Sequence, residues 1–363
     1  MTLQLGKLYD CLILGGGPAG LSMGYRLSLS PGIDYAILER GKLGHSWACM
    51  HDSLLLLSPM WVNQLPGHRF PLFRSFEKIA KEDFIQYLES YADRFAMICA
   101  PNVDITSVVR ENDVFRVTTS KGEFRSRTIV NATGYYSAPY TPEFDVNDES
   151  IKMIHSAEYK SPAELARIAG AGDKKILVVG KRVSAGQLLE ELDDTEHSLG
   201  ISTRAAIETR IGGILGIIKE NLYYIKEHVR FLFDPYIKQN SLALMNGGKT
   251  DEIIASGRLK HHPTIKAIKA GEVWFSNDER EAYDLIICAT GFVPDFLHLR
   301  ELVDSRAPLL EQLDMGAHKE IPGLFFLGVD NMINFKSRYV RGVAADSKIV
   351  SEKLTQYLGE AQS

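Results

Sequence analysis

Paired cysteines are missing from this sequence. Four cysteines, Cys11, Cys49, Cys99 and Cys288, are scattered over 363 residues, with no Cys-x-x-Cys spacing. This excludes a dithiol redox centre and a structural zinc site, and such sparse unpaired cysteine favours a reducing compartment. We therefore expect neither a metal site nor a disulfide framework.

Strong charge and long apolar runs are also missing. The formal net charge is −5 and the pI is near 6.1, which argues against a nucleic-acid surface. No apolar run reaches the roughly 20 residues of a membrane-spanning helix, and the N-terminus does not read as a signal peptide. The sequence predicts a cytoplasmic protein without a transmembrane segment, long enough for two domains.

Glycine is abundant, and its first cluster forms a motif. An apolar strand leads into Gly-Gly-Gly-Pro-Ala-Gly at 15–20, and a helical pattern follows. Gly15 permits a tight turn, Gly17 lets the backbone approach a pyrophosphate, and Gly20 lets helix and strand pack closely. A second strand ends in Glu39, an acidic residue at the distance that suits the ribose hydroxyls. The pattern predicts a dinucleotide site at a helix N-terminus.

The strand endings repeat. Ala132-Thr133-Gly134 follows one apolar strand, and the same three residues follow another at 289–291. A second strand, turn and helix pattern begins at Lys174. Its turn has Gly180 at the first glycine position, but Arg182 stands where the second glycine belongs and Ala185 takes the third position. These similarities suggest an internal repeat of the dinucleotide-binding unit.

The second unit differs from the first in charge. Its second strand ends with Arg204 instead of an acid, which favours NADPH over NADH because an arginine suits a 2′-phosphate. Arg182 either intrudes on the pyrophosphate path or pairs with a phosphate. The alternative that this unit kept its fold and lost its ligand therefore stays open.

Two further stretches invite a functional interpretation. Trp47, Ser58, Trp61 and Asn63 are candidates for a pocket beside a flat ring, although core filling explains the tryptophans equally well. The unusually apolar stretch 211–233 is interpreted as a substrate-channel lid, a membrane-surface patch, a subunit contact or a helix buried in the second domain.

Taken together, these motifs resemble the flavoproteins with two dinucleotide-binding domains, and most of all the class B flavin-dependent monooxygenases. Within that class the chain is similar to a short bacterial branch related to plant YUCCA enzymes and to flavoproteins of the cation-efflux-associated type. The resemblance rests on Gly15–Gly20, Gly44-His-Ser-Trp47, Leu65-Pro-Gly67 with Phe70-Pro71, Ala132-Thr-Gly134, His155-Ser-Ala-Glu-Tyr159, Ala289-Thr-Gly-Phe-Val-Pro294 and Gly323-Leu-Phe-Phe-Leu-Gly328.

The resemblance implies an α/β fold of two Rossmann-like domains, the second inserted in the first. It places an FAD-binding domain at 1–145 and 286–363, and an NAD(P)-binding-like domain at 146–285 with an apolar helical insert at 209–240. The implied FAD-side residues are Gly15, Gly17, Pro18, Ala19, Gly20, Glu39, Arg40, Ser46, Trp47, Val103, Ala132, Thr133, Gly134, Gly328, Asp330, Arg341, Gly342 and Val343. The implied NADPH-side residues are Gly180, Arg182, Ser184, Ala185 and Arg204.

The implied chemistry is hydride transfer from NADPH to the flavin, then reaction with O₂ to a C4a-hydroperoxide, which requires a dry pocket more than an acid–base residue. Two departures lie on the NADPH side. One is Arg182. The other is the family motif Phe-x-Gly-x-x-x-His, which keeps His155, with Tyr159 after it, but has neither Phe nor Gly at the two earlier positions.

Three functions follow as hypotheses. The first is an FAD- and NADPH-dependent monooxygenase that acts on a small apolar or soft-nucleophile substrate with O₂. The second is an FAD-dependent oxidase or dehydrogenase with a degenerate NADPH site, reduced by its own substrate. The third is a flavin-holding interaction protein that uses 211–233 as a surface for a partner or membrane. A homodimer is possible, and no nucleic-acid partner is expected.

Overall fold

A computed structural model describes residues 3–146, 150–209, 213–239, 245, 247–304 and 306–361. Over these residues the chain has an α/β fold of two Rossmann-like units. The strands, in chain order, are β1 Leu8–Leu14, β2 Tyr35–Leu38, β3 Cys99–Ala100, β4 Ile105–Glu111, β5 Val114–Thr119, β6 Gly122–Asn131, β7 Ala138–Pro139, β8 Asp145–Val146, β9 Lys152–His155, β10 Lys175–Val179, β11 Ser198–Ser202, β12 Lys260–His262, β13 Ile265–Lys269, β14 Glu272–Phe275, β15 Arg280–Ala282, β16 Leu285–Cys288, β17 Phe292–Val293, β18 Leu313–Asp314, β19 Ala317–His318 and β20 Leu324–Phe326.

The helices cover the sheets and connect their strands. In chain order they are α1 Pro18–Ser28, α2 His45–Ala48, α3 Lys81–Arg94, α4 Pro162–Ala169, α5 Val183–Leu192, α6 Gly213–Phe233, α7 Lys249–Ala255, α8 Leu309–Gln312 and α9 Val340–Glu360, with 3₁₀ turns at Met60–Val62, Leu72–Arg74 and Leu297–Leu299. No helix in the described ranges combines the length and the apolar character needed to cross a bilayer.

The first sheet is built around β1. Strands β20, β6, β1, β2 and β3 run parallel in that order, and β5 and β4 continue from β6 as antiparallel strands. The residues of β1 from Cys11 to Leu14 are fully buried, as expected for a parallel sheet covered on both faces. Helix α1 packs against α9, β2 and α3. The carboxyl ends of five parallel strands therefore meet at one edge.

The second sheet repeats this plan. Strands β12, β11, β10, β16 and β9 are all parallel, and α5 packs on β10 and on α7. A separate sheet of β15, β14, β13 and β8 is mostly antiparallel and packs on the second sheet through a small core that includes Phe275 of β14 and Ile286 of β16. The core of the first sheet is distinct from the two clusters of the second unit.

Two short strands mark where the chain crosses between the sheets. Strand β7 follows the first sheet, β17 leads back to it, and the two pair antiparallel through Phe292 with Pro139 and Val293 with Ala138. The amide of Tyr140 also donates to the carbonyl oxygen of Gly291, at 2.9 Å. The second unit is thus inserted in the first through a two-stranded ribbon.

Helix α6 corrects one interpretation of the apolar stretch. It is not buried in the second domain, because seven of its large aliphatic side chains are 47% to 70% exposed. Its inner face contacts segments of the first unit, including Trp61 and Arg341. An apolar pattern shows that a helix has a face but not whether that face is covered. Residues 210–212 and 240 of the expected insert lie outside the described ranges.

Candidate functional site

The first glycine turn follows β1 at the carboxyl edge of its sheet. Gly15 has φ +108°, and a Cβ there would lie 2.5 Å from the carbonyl oxygen of Ala132. A Cβ on Gly20 would lie 1.9 Å from the carbonyl oxygen of Gly15, so both positions require glycine. Gly17 differs: its φ is −84°, and a Cβ there would meet no described atom within 4 Å. The turn thus has a closely packed base and an open face at Gly17.

Helix α1 begins directly behind this open face. Pro18 occupies the first turn, Gly17 is the N-cap without a side-chain cap, and the first turn holds no acidic residue. The N–H groups at 19 and 20 precede the first intrahelical bond, which Leu21 makes to Gly17. Such a helix start attracts an anionic group through its free donors and its dipole.

The Glu39 carboxylate lies beside the turn, at the end of β2. It is buried, accepts the Gly16 amide on Oε2 at 2.6 Å and accepts the Gly41 amide on Oε1 at 3.0 Å. The Val103 amide donates to the carbonyl oxygen of Glu39, at 2.8 Å, which fixes the strand end. The carboxylate therefore sits on the turn with lone pairs left to accept from sugar hydroxyls.

The other predicted residues of this edge come from three strand ends. Thr133 donates to the Asn131 side chain at 3.2 Å, and Gly134 turns with φ +83°. Gly328 also has φ +83°, and a Cβ there would lie 3.4 Å from the Ala19 side chain. The ends of β6 and β20 thus flank the start of α1.

Residues 330–343 form a compact bend that opens α9. A Cβ on Gly342 would lie 2.1 Å from the carbonyl oxygen of Lys336, and Val343 is buried. Asp330 is the first residue of this bend. Its Oδ2 pairs with Arg338 at 3.4 Å, whereas Oδ1 is buried without a donor among the described residues.

These groups fit FAD. The open face at Gly17 suits a pyrophosphate, and the Glu39 carboxylate and the unpaired Asp330 oxygen suit hydroxyl groups. Arg40 is exposed, and Ser46 and Trp47 lie half-buried on the short helix α2. Bound FAD would be held by this edge, which gathers residues that are distant in the sequence.

The second glycine turn has the same base as the first. Gly180 has φ +144°, and its Cβ would lie 2.5 Å from the carbonyl oxygen of Ala289, which matches the distance from Gly15 to Ala132. Ala185 is buried behind it, where Gly20 stands in the first unit. The predicted internal repeat is therefore present in three dimensions.

Arg182 changes the open face but not the backbone of this turn. It is the N-cap of α5 with φ −114°, which any residue adopts, and its side chain is exposed. Ser184 and Arg204 are also exposed, Arg204 just beyond the end of β11. Next to Arg204, the Thr203 hydroxyl and His261 Nε2 lie 2.7 Å apart. Two arginines and an unblocked helix start fit an anionic dinucleotide such as NADPH.

The four pocket candidates do not all contact one another, and most of their contacts are with other parts of the chain. Ser58 and Asn63 are buried and bond to each other, with Asn63 Nδ2 donating to Ser58 Oγ at 2.9 Å and to the Ser58 carbonyl at 3.0 Å. Trp47 packs edge-on against Phe84 in the core. Trp61 donates from Nε1 to Asn221 Oδ1 on α6, at 2.8 Å. The amide of Asn63 thus serves its own loop, and Trp61 holds α6.

Both ring nitrogens of His155 form hydrogen bonds with backbone groups. Its Nδ1 accepts the Ala157 amide at 3.1 Å, so Nε2 carries the proton and donates to the Gly291 carbonyl at 2.9 Å. Burial lowers its pKa, which keeps the ring neutral. His155 therefore connects β9 to the second Ala-Thr-Gly turn. Position 149, where the same motif has its Phe, lies outside the described residues.

Sequence reasoning missed the residues that attach α6 to the first unit. Glu227 is buried and pairs with Arg341 at 3.0 Å, and Arg341 also stacks on Tyr339, 4.2 Å from the ring centroid. Glu220 pairs with Lys78 at 3.0 Å. The signal was present in the sequence: Glu220 and Glu227 are seven residues apart and so share one helix face.

The half-buried His298 was also missed. Its Nε2 lies 3.0 Å from Asn131 Oδ1, at the end of β6. Burial lowers its pKa to about 4, against the opposing charge of Asp295, so the ring is neutral near pH 7. A neutral ring here adds no positive charge to the strand edge.

Comparisons with known proteins agree with this architecture. The pyridine nucleotide-disulphide oxidoreductase family matches residues 12–328. A CzcO-like oxidoreductase of Geobacillus kaustophilus is 26% identical, covering 94% of this chain and 97% of its own length. The indole-3-pyruvate monooxygenase YUCCA6 of Arabidopsis thaliana is also 26% identical, covering 94% and 89%.

Solved structures show the same fold. The flavin-containing monooxygenase of Stenotrophomonas maltophilia aligns with a TM-score of 0.76 at 24% identity, covering 97% of this chain and 99% of its own. Bacillithiol disulfide reductase of Staphylococcus aureus aligns with a TM-score of 0.73 at 16% identity, covering 96% and 99%. The chain therefore belongs to the pyridine nucleotide-disulphide oxidoreductase family, as a flavin-dependent oxidoreductase of the class B monooxygenase-like type.

Proposed function

We propose that this protein is an FAD-dependent, NADPH-using monooxygenase that oxygenates a small apolar or soft-nucleophile substrate. The observation that carries the proposal is the repeated turn, with Gly15 against Ala132 in one sheet and Gly180 against Ala289 in the other. Two such turns in one chain suit two dinucleotides, one as resident cofactor and one as hydride donor. The monooxygenase names of the YUCCA relatives support the reaction class.

The residues of the first edge would bind FAD. The α1 start and Gly17 would receive the pyrophosphate, and Glu39 and Asp330 would accept hydroxyl groups. Trp47 and the α9 start at Arg341 to Val343 would face the ring system. When bound, FAD supplies the redox chemistry, taking a hydride from NADPH and reducing O₂ so that one oxygen atom enters the substrate and the other leaves as water.

The residues of the second edge would orient NADPH. The α5 start with Arg182 and Ser184 would bind the pyrophosphate, and Arg204 would bind the 2′-phosphate through charge-assisted hydrogen bonds. No side chain is assigned as an acid–base catalyst. The work of this chain would be to orient both dinucleotides and to keep water out, which α6 assists where it is fixed to Arg341 and Trp61.

The test is anaerobic stopped-flow absorbance of the purified flavoprotein mixed with NADPH and, separately, with NADH. We expect fast loss of the flavin absorbance with NADPH and slower loss with NADH. O₂ should then restore the absorbance without stoichiometric H₂O₂ when the correct substrate is present. No bleaching by either nucleotide would overturn the proposed NADPH role.

Arg182 favours one alternative function. A side chain at the second position of the turn can narrow the pyrophosphate path, and the enzyme would then be an FAD-dependent oxidase or dehydrogenase reduced by its own substrate. Bleaching by that substrate but not by NADPH would identify it. The matched variant Arg182→Gly then restores NADPH reduction only if the arginine had blocked the site. The cytoplasmic location and the homodimer stay sequence-based predictions.

A further inference from the structure

The outer face of α6 carries a continuous stripe of exposed aliphatic side chains. The stripe consists of Leu215, Ile218, Leu222, Ile225, Val229 and Leu232, which are 47% to 70% exposed. Their spacing alternates between three and four residues, so all six lie on one side of the helix. An apolar surface of this length is unusual on an uncovered helix and marks an interaction site.

The orientation of α6 is fixed by its other face. Glu220 and Glu227 pair with Lys78 and Arg341, and Asn221 accepts from Trp61. Further along, Phe231 packs on Phe335 at 5.4 Å and under the ammonium of Lys336 at 3.4 Å. Because these inner contacts include a buried ion pair, turning the helix to bury the stripe would break them. The stripe is therefore held outward.

The charges beside the stripe are nearly all positive. Lys219, Lys226 and Arg230 are exposed on the helix, and Lys238 follows it. Both glutamates of α6 point inward, and the exposed Asp234 lies just past the helix end. The whole chain has a net charge of −5, so this basic face runs against the overall charge. A positive face on an acidic protein directs it toward an anionic surface.

A second exposed apolar segment lies beside the first half of α6. In the loop 72–76, Leu72, Phe73 and Phe76 are 79%, 82% and 63% exposed. The Lys78–Glu220 ion pair and the hydrogen bond from Trp61 to Asn221 hold this region against the first half of α6. Exposed aromatic rings next to an apolar helix are typical anchors for a membrane interface.

We propose that α6 and the loop 72–76 form a docking surface for the interface of an anionic lipid bilayer. The helix would lie parallel to the membrane, with the stripe among the acyl chains and the lysines at the headgroups. A second copy of the chain fits less well, because an antiparallel α6 pair would bring Lys219 of one copy beside Lys226 of the other. The docking does not depend on which reaction the enzyme performs.

The test is co-sedimentation of the purified flavoprotein with phosphatidylcholine vesicles, with and without phosphatidylglycerol. We expect binding to the phosphatidylglycerol vesicles and about tenfold weaker binding to phosphatidylcholine alone. Raising NaCl to about 1 M, where the Debye length is about 3 Å, should weaken the binding to the vesicles that contain phosphatidylglycerol. The proposal is overturned if the protein binds neither kind of vesicle at any NaCl concentration.

Two variants separate the apolar and the electrostatic contributions. Leu222→Asp with Val229→Asp places two charges in the stripe, and Lys219→Glu with Lys226→Glu reverses the flanking charge; each pair should abolish binding to the anionic vesicles. Leu29→Asp, an equally exposed leucine at the end of α1, is the matched control and should bind as the parent does. Retained flavin absorbance and thermal unfolding show that each variant is folded.

Self-association is the competing outcome. If light scattering shows a dimer that Leu222→Asp with Val229→Asp converts to a monomer, and no vesicle binds the parent protein, the stripe is a subunit interface and the lipid proposal is wrong. Vesicle binding without any NADPH oxidation would leave the docking surface intact and would contradict only the proposed function.

Discussion

At the scale of single residues, the three glycines of the first turn do different work. Gly15 and Gly20 are required by the fold, since a Cβ at either would collide with backbone atoms at 2.5 Å and 1.9 Å. Gly17 has ordinary φ and open space around it, so the protein itself does not require a glycine there. The residue that the fold can spare is the one that a ligand would need.

We predict that Gly17→Val abolishes flavin binding without unfolding the protein. The ratio of flavin to protein absorbance should fall at least about tenfold, while the unfolding free energy of the flavin-free protein falls by only about 1 kcal/mol through the poorer N-cap. Gly15→Ala is the contrasting variant and should lower that free energy by several kcal/mol. A fully yellow Gly17→Val protein would show that the FAD site lies elsewhere.

The buried acid Asp346 makes stability depend on pH. It lies on α9 with no exposed surface, and burial raises its pKa to about 6, against smaller effects of Ser337 and Lys336. Since the folded pKa exceeds the unfolded one, the native state holds the extra proton between about pH 4 and pH 6. Stability therefore falls as the pH rises through this window, by up to about 3 kcal/mol above pH 6.

Asp346→Asn should remove this dependence. We expect the variant to be about 2–3 kcal/mol more stable than the parent at pH 8 and nearly equal to it at pH 4.5, by urea unfolding at both pH values. Because all other groups titrate alike in both proteins, their effects cancel when the unfolding free energy of the parent is subtracted from that of the variant. A variant that is less stable than the parent at pH 8 would mean that the charged form of Asp346 makes favourable contacts.

Arg204 should decide between NADPH and NADH. Arg204→Ala removes a charge-assisted contact to the 2′-phosphate, so kcat/KM for NADPH should fall about ten- to hundredfold while the value for NADH changes by less than about twofold. Arg258→Ala, which removes another exposed arginine of the same unit, serves as the control. Equal losses with both nucleotides would assign Arg204 a purely structural role.

At the scale of elements, α6 and α9 are joined by one buried ion pair. The Glu227 and Arg341 side chains are only 7% and 13% exposed, and Arg341 lies at the start of α9, where the ring of FAD is proposed to be. Removing one partner of a buried pair leaves an uncompensated charge, which is strongly destabilising. The fixed position of α6, and with it the exclusion of water, therefore depends on this pair.

Glu227→Gln should loosen α6 and uncouple the enzyme. We expect NADPH oxidation to continue while the fraction of reducing equivalents recovered as H₂O₂ rises, because water gains access to the reduced flavin. Peroxide yield per NADPH measures the effect. Glu220→Gln breaks the outer pair with Lys78, where Lys78 is 35% exposed, and should change the yield little. Equal peroxide yields in both variants would show that the exclusion of water does not depend on the Glu227–Arg341 pair.

At the scale of the whole molecule, two sets of separate cores are connected by the two-stranded ribbon and by the contacts of α6 with the first unit. The core of the first sheet shares no buried residue with the clusters of the second unit, and β7 and β17 contribute only two residues each. Units with separate cores respond to their own ligands by mass action. Each unit should therefore unfold with a measure of independence.

Calorimetry of the flavin-free protein should show this independence. FAD at about 100 times its Kd should stabilise one transition by about 2.7 kcal/mol, and NADP⁺ should shift the other. Arg204→Ala should abolish the second shift and leave the first unchanged. A single transition that responds equally to both ligands would mean that the ribbon and the contacts of α6 couple the two units into one cooperative structure.

Sequence patterns predicted the parts of the fold that depend on local physics. The spacing of Gly15 and Gly20 predicted a strand, a turn and a helix, and the two Ala-Thr-Gly sequences predicted the repeat. Such patterns are visible in the sequence because few residue types can occupy a position with positive φ or a close backbone approach. The patterns could not show that Asn63 would bond within its own loop. That depends on which hydrogen-bond partners the chain brings near.

The sequence by itself determined that this protein has two dinucleotide-binding units, since glycine positions and buried strands are local requirements of the backbone. Only the tertiary structure decided where α6 goes. Its aliphatic stripe and its two glutamates lie on opposite faces, and the pattern alone gives no preference for which face is covered. Arg341, more than 110 residues away from Glu227 in the chain, pairs with that glutamate, Lys78 pairs with Glu220, and the stripe is left outside.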